Sequence, residues 1–274
     1  MMPMMKVDEL APLVRKLKWD AIGMLYAAQS GHPGSALSIM EVLVALYFGG
    51  VLRHDPKKPQ DPARDYFLLS NGHACPGLYV VLAESGYFPK KELKNLRQLG
   101  ARVQGHPHRG SLPGIEISSG SLGQGLSVGI GRAYAHRLQK KGNRIYVMMS
   151  DGEQQEGSTW EAVMLAPKLG LNNLVAIVDK NKFQIDGATE DVMPTLDPLP
   201  DKYQAFNWNV IEVDGHDIEA VLRAFQDAKG MEGPTVLISH TVRGKGVSYM
   251  EGSDHWHAGA ISAEQYEIAK KELA

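Results

Sequence analysis

The strongest constraint on the fold is a set of short, almost continuously apolar runs in the second half of the chain: 144–149 (RIYVMM), 173–179 (NLVAIVD) and 234–240 (PTVLISH), with a fourth at 207–213. A strand with one wet face alternates apolar and polar residues, whereas a strand covered on both faces does not need to. The gaps between the runs leave room for helices at 155–169, around 201–206 and at 217–228. Strands that alternate with helices in this way predict an α/β fold with a mostly parallel sheet flanked by helices.

The first half fits the same plan. Apolar residues at 10, 13, 14, 17 and 21 predict an amphipathic opening helix, broken at Gly31–Gly34 (GHPG). Residues 37–48 are apolar almost all round and predict one buried helix, 66–70 a short strand, and the segment after His73 another helix. The stretch 187–200 carries three prolines and reads as a long surface loop, and Ser262 with Gln265 predicts a capping box that opens a last helix to Leu273. No repeat or linker interrupts the 274 residues, so residues 1–274 read as a single domain.

Composition removes several function classes. A hydrophobic share of 43% with 22% charged residues is that of a globular protein, and a net charge of −2 leaves no excess of basic residues, which makes nucleic acid and anionic membrane poor partners. The start MMPMMK is too short an apolar segment for a secretory signal, and the longest apolar run, 42–52, falls well short of the roughly 20 residues of a membrane helix. One cysteine, Cys75, excludes an internal disulfide. The expected location is cytoplasmic.

Ligands of parallel sheets bind beyond the carboxyl ends of the strands. That rule selects Ser150-Asp151-Gly152-Glu153 and Asp179-Lys180-Asn181-Lys182-Phe183. A carboxylate (Asp151), an amide oxygen (Asn181) and a backbone carbonyl suit a hard cation such as Mg2+, which takes six oxygens and commonly shares them with phosphates and water. Gly152 permits close backbone approach, and a helix starting near Glu156 would aim amide donors at an anion. Ser119–Gly125 (SGSLGQG) is glycine-rich and precedes an apolar helix, 126–138, yet it matches neither the P-loop nor the dinucleotide fingerprint. His32, His73, His106 and one of His255 and His257 stand in Gly- or Pro-flanked loops, a set able to donate to phosphate or sugar oxygens or to carry protons. His54, His136 and His216 lack that setting and read as core or surface histidines. Gly125–Gly129 fits G-x-S-x-G around Ser127, but a hydrolase elbow needs a strand directly before it.

The segments SGHPGSALS, SNGHACPGLY, QGHPHRGSLPGIEISSGSLGQGLSVGIGRA, SDGEQQEGSTWEA and VDKNKFQIDG, in this order, resemble the amino-terminal half of transketolase over about residues 10–260. The resemblance implies the diphosphate-binding domain of the thiamine-diphosphate-binding fold. It implies thiamine diphosphate held through Mg2+ (Ca2+ or Mn2+ being alternatives), with Asp151, Asn181 and the Phe183 carbonyl as metal ligands. It implies Gly152, His73 and His255 or His257 near the diphosphate, Gly120 and Leu122 near the thiazolium, and Glu156 at a subunit interface close to the cofactor. His32, His106 and, of the carboxyl-terminal pair, His255 are the expected catalytic histidines on the sugar side. Ser150 and Ser121 replace the Gly and Pro usual in the family. The pyrimidine-binding and carboxyl-terminal domains of transketolase lie outside these residues. The implied protein is therefore the amino-terminal subunit of a split transketolase, an α2β2 heterotetramer with a partner chain that transfers a two-carbon ketol unit between sugar phosphates. The readings set against it are the α subunit of a 2-oxo acid dehydrogenase and a non-catalytic, cofactor-binding assembly subunit.

Overall fold

The structure is a computed structural model that describes residues 4–274, so the first three residues of the opening MMPMMK segment lie outside it. In chain order the helices are α1 (Val7–Ala28), α2 (Pro33–Ser38), α3 (Met40–Tyr47), α4 (Cys75–Glu84), α5 (Gly125–Leu138), α6 (Gly157–Lys168), α7 (Thr189–Val192), α8 (Leu199–Ala205), α9 (Ile218–Gly230) and α10 (Ala263–Leu273). The strands are β1 (Tyr66–Leu69), β2 (Ile145–Ser150), β3 (Leu174–Lys180), β4 (Phe183–Gln184), β5 (Gly187–Ala188), β6 (Asn209–Asp214) and β7 (Thr235–His240). Five of these form one sheet in the order β1-β2-β3-β7-β6, every pair parallel.

The apolar runs follow from burial on both faces. Tyr146, Met148, Val175, Ile177 and Leu237 point into a core shared with α1, α3, α4 and α9. Their neighbours Val147, Met149, Ala176, Val178 and Ile238 point into a second core under α5, α6 and α8. Period-two geometry sends successive side chains to opposite faces, so a strand in the middle layer has no polar position to offer.

Local signals set the helix ends. Ser262 Oγ accepts from Gln265 N–H at 3.1 Å, and Gln265 Oε1 accepts from Ser262 N–H at 2.9 Å, the expected capping box. Asp217 caps α9 by accepting from Glu219 and Ala220 N–H, both at 3.0 Å.

Two expectations are corrected. The buried helix over 37–48 is two helices, α2 and α3, meeting at Ile39, whose backbone (φ −91°, ψ 1°) leaves the helical region. Hydrophobic content alone does not reveal such a break. The stretch 187–200 is not plain loop: β4 and β5 form an antiparallel ribbon and α7 follows it. Among the described residues no helix is long and apolar enough to cross a membrane.

Candidate active site

The parallel register places the two selected segments side by side. Ser150 pairs with Asp179, and Lys180 pairs with His240, so β2, β3 and β7 end at one level. Asp151 N–H then reaches the Asp179 carbonyl at 3.2 Å, and Thr241 N–H the Lys180 carbonyl at 3.2 Å. Asp151 and Asn181 are thus neighbours although thirty residues separate them, because adjacent parallel strands emit their loops from the same edge.

Asp151 is fully buried. Its Oδ1 accepts from Gly152 N–H at 2.8 Å and its Oδ2 from Lys182 N–H at 2.6 Å. Burial, and after it the nearby Asp179, pushes its carboxyl up to about 7. The Gly152 and Lys182 N–H groups and the Arg243 guanidinium offset part of that cost. Asn181, 2% exposed, donates to Asp179 Oδ2 at 2.8 Å and accepts from Phe183 N–H at 3.1 Å on Oδ1. Asp179 also accepts from Ser38 Oγ at 2.7 Å and from the Thr241 hydroxyl. Asp179 is therefore the group that orients the Asn181 amide, with its nitrogen on the carboxylate and its oxygen on the Phe183 N–H.

Beyond these strand ends opens a cleft of about 450 Å3, lined among others by Gly152, Asn181 and Phe183 on one side and by His32, His73 and His257 on another. The imidazoles cluster: ring centroids lie 5.4 Å apart for His32 and His73, 5.8 Å for His32 and His106, and 5.2 Å for both His32–His257 and His73–His257. Burial first, and then the neighbouring rings and guanidinium groups, lowers their proton affinity: His32 falls to about 3 and His73 goes well below its ordinary value. Burial and then Arg243 bring His257 to about 4, and burial and then Arg97 lower His106. At neutral pH the four rings are uncharged, so each can donate one hydrogen bond and accept another.

The glycine-rich segment forms the facing wall, with Gly120 and Leu122 on the cleft. Gly120 (φ 139°) and Gly123 (φ 81°) hold backbone conformations open to glycine, and a Cβ on Gly123 would stand 2.6 Å from the Glu156 side chain. Glu156 itself is exposed at the rim.

One preference from the sequence is reversed. His255 is exposed, packed against Trp256 at 5.4 Å, and does not line the cleft, whereas His257 does. Trp256 is 5% exposed, and burying it in the turn Asp254–His257 fixes which flanking histidine faces inward. The hydrolase motif also fails: Ser127 sits exposed in the first turn of α5, with no strand before it.

With this geometry in view, comparison with known proteins settles the relationship. The family described as transketolase, thiamine diphosphate binding domain, matches residues 7–274. The chain belongs to the transketolase family. It is 43% identical over 271 residues to an apulose-4-phosphate transketolase subunit of Phocaeicola vulgatus, covering 98% of this chain and 95% of that protein. It is 41% identical over 264 residues to the 6-deoxy-6-sulfo-D-fructose transketolase subunit SqwG of a Clostridium species, covering 96% and 94%. Among solved structures, transketolase from Campylobacter jejuni superposes with a TM-score of 0.92 at 32% identity, over 98% of this chain and 43% of that one. The chain spans less than half the length of that transketolase. Its parallel sheet is the thiamine diphosphate binding fold of the family.

The chain's residues fit a transketolase cofactor by their donor chemistry. No group of three or more His, Cys, Asp or Glu side chains forms a metal cage among the described residues. The strand ends offer a carboxylate, an amide oxygen and backbone carbonyls, hard oxygen donors of the kind a divalent cation shares with phosphate. In the same cleft, Arg243 Nε and His257 Nδ1 are buried without a hydrogen-bond partner, and both suit an anionic ligand.

Sequence reasoning passed over Arg243, Asp179 and Glu153. Arg243 is 1% exposed and donates to the Phe183 and Gln184 carbonyls, with its Cζ 5.3 Å from the Phe183 ring centroid. Glu153, fully buried and with its carboxyl raised by that burial, accepts from Gly123 N–H at 2.8 Å, from Ser150 N–H at 3.3 Å and from the Ser70 hydroxyl. It therefore ties the glycine-rich wall to the ends of β1 and β2. The only signal available for Glu153 was its place two residues beyond Asp151, and for Arg243 its place just past β7.

Proposed function

We propose that this chain is the cofactor-gripping subunit of a two-chain transketolase that moves a two-carbon ketol unit from a ketose phosphate to an aldose phosphate. The observation that carries the reading is the meeting, at the carboxyl ends of β2 and β3, of the loops that hold Asp151, Asn181 and Phe183 with the four clustered histidines of the cleft. In this reading Asp151, Asn181 and the Phe183 carbonyl would hold Mg2+, or Ca2+ or Mn2+ in its place, beside the diphosphate. Gly152, His73 and His257 contact the diphosphate, and Gly120 and Leu122 pack on the thiazolium. Thiamine diphosphate, when bound, supplies the nucleophilic carbon that accepts the ketol unit.

The remaining work falls to this chain's side chains. Asp179 and Glu153 hold the metal side and the glycine-rich wall in place. His32 and His106, neutral and close together, hydrogen-bond the donor sugar near its carbonyl and carry a proton to or from its oxygen. A charged imidazole could not both donate and accept there. Glu156, exposed at the rim, meets a partner chain that supplies the pyrimidine-binding and carboxyl-terminal domains. Residues 1–274 act as one domain in an α2β2 assembly. Two relatives of nearly this length are named as transketolase subunits, which supports a two-chain enzyme.

The test is a ketol-transfer assay with thiamine diphosphate and Mg2+, run for this chain alone and with a co-expressed candidate partner. Xylulose 5-phosphate, apulose 4-phosphate and 6-deoxy-6-sulfofructose serve as donors. Activity only in the mixture supports the proposal. Full activity of the chain alone overturns the two-chain reading, and cofactor binding without transfer to any acceptor indicates an assembly role.

A further inference from the structure

A second cavity, of about 520 Å3, lies away from the cofactor cleft. Tyr66, at the amino end of β1, forms part of its wall, whereas the cofactor cleft opens beyond the carboxyl ends of the strands. Four arginines line it: Arg64, Arg102, Arg109 and Arg132. Two of them pack on the Tyr66 ring, with Arg64 Cζ 4.1 Å and Arg132 Cζ 4.2 Å from its centroid. Glu116 braces the same pair, at 2.7 Å from Arg64 and 3.6 Å from Arg132. Arg102 is paired with Glu92.

Charge is left over. Four guanidinium groups face two carboxylates, an excess of two positive charges in a chain whose net charge is −2. Arg64, with its side chain 11% exposed, keeps a buried Nε–H without a partner. The exposed Arg109 guanidinium makes no ion pair or hydrogen bond among the described residues. Planar guanidinium forks around a concave space suit a tetrahedral dianion.

We propose that this cavity is a second anion site, built for phosphate as the free ion or as a small monoester. The residues that close it belong to the loop 106–120, whose two ends stand in the cofactor cleft. His106 and Gly120 meet there, and Ser119 N–H donates to the Pro107 carbonyl at 3.1 Å across the neck. Arg109 N–H donates to Ser118 Oγ at 3.0 Å just beyond. A dianion gripped at the tip therefore orders the segment that carries His106, and the site is placed to couple phosphate level to the sugar side of the cleft. The anion site itself does not depend on the ketol-transfer reading, whereas its coupling to the sugar side of the cleft rests on it.

The experiment is isothermal titration of the full chain with inorganic phosphate and, separately, with glycerol 1-phosphate. The proteins compared are the unaltered chain, Arg109→Gln and, as an exposed-arginine control, Arg223→Gln. The expected result is saturable binding that Arg109→Gln weakens about tenfold or more, the loss of one charge-assisted contact, while Arg223→Gln leaves it within about twofold. Tighter binding of the ester identifies a phosphorylated metabolite as the ligand, and equal or weaker binding identifies phosphate itself. Absence of saturable heat overturns the proposal. So does loss of the binding when thiamine diphosphate and Mg2+ are present in excess, which would put the phosphate in the cofactor cleft. Arg109 is exposed and supports no packing, so a folding defect does not confound its variant; hydrogen exchange over 106–120, slowed by phosphate only with Arg109 present, is the second readout.

Discussion

Replacing Glu153 with alanine should destabilise the chain and loosen the glycine-rich wall of the cleft, although Glu153 does not itself line the cleft. Its carboxylate is the shared acceptor for Gly123 N–H, Ser150 N–H and the Ser70 hydroxyl. Alanine leaves these three donors in a buried place, and each orphaned donor costs about 1–3 kcal/mol. Two effects reduce the sum: water can enter the space left behind, and the burial cost of the carboxylate disappears. A net loss of about 2–4 kcal/mol follows, which at about 2–4 °C per kcal/mol corresponds to a fall in Tm of roughly 5–15 °C. Glutamine keeps the shape and one acceptor oxygen, so its loss should be about 1–2 kcal/mol. Scanning calorimetry gives the stabilities, and hydrogen exchange at residues 119–125 reports on the wall. An alanine variant within about 1 °C of the unaltered chain, with unchanged exchange, would refute the reasoning. Equal losses for glutamine and alanine would show that packing, not hydrogen bonding, is what Glu153 supplies.

Asp151→Ala should abolish Mg2+-dependent binding of thiamine diphosphate in the assembled enzyme, and unchanged affinity by calorimetry would remove Asp151 from the metal site. The histidine cluster sets a pH limit. His32 and His257 are held neutral, near 3 and 4, against ordinary values of 6.5, so the unfolded chain binds more protons than the folded one between those limits. Their contribution is complete above about pH 6.5 and is lost as the pH falls toward about 4; His257→Gln should flatten that part of a Tm–pH profile, and an identical profile would count against it. His257→Ala should weaken cofactor or donor binding in the assembled enzyme, whereas His255→Ala should leave both within about twofold, since His255 is exposed and outside the cleft. The reverse pattern would restore the sequence-based preference for His255.

The local grammar of this fold is written along the chain. The almost continuously apolar runs at 144–149, 173–179 and 234–240 point to strands buried on both faces, and so to a parallel sheet and its helices. Once that is granted, the strand-end rule alone selects Asp151 and Asn181, and the Ser262–Gln265 capping box needs no tertiary information because its partners are three residues apart. Other features depend on contacts between distant segments. Glu153 reaches Ser70 across 83 residues, Asp179 reaches Thr241 across 62 and Ser38 across 141. A buried carboxylate and a surface one look alike in sequence, because the partners that make burial tolerable come from elsewhere in the chain. The choice of His257 over His255 turned on the burial of Trp256 between them, and the break at Ile39 on how α2 and α3 pack. Periodicity and strand ends are short-range properties that a sequence carries by itself. Which side chains share a cavity is decided by folding, when burial and hydrogen bonding select among local conformations that the sequence alone leaves nearly equal.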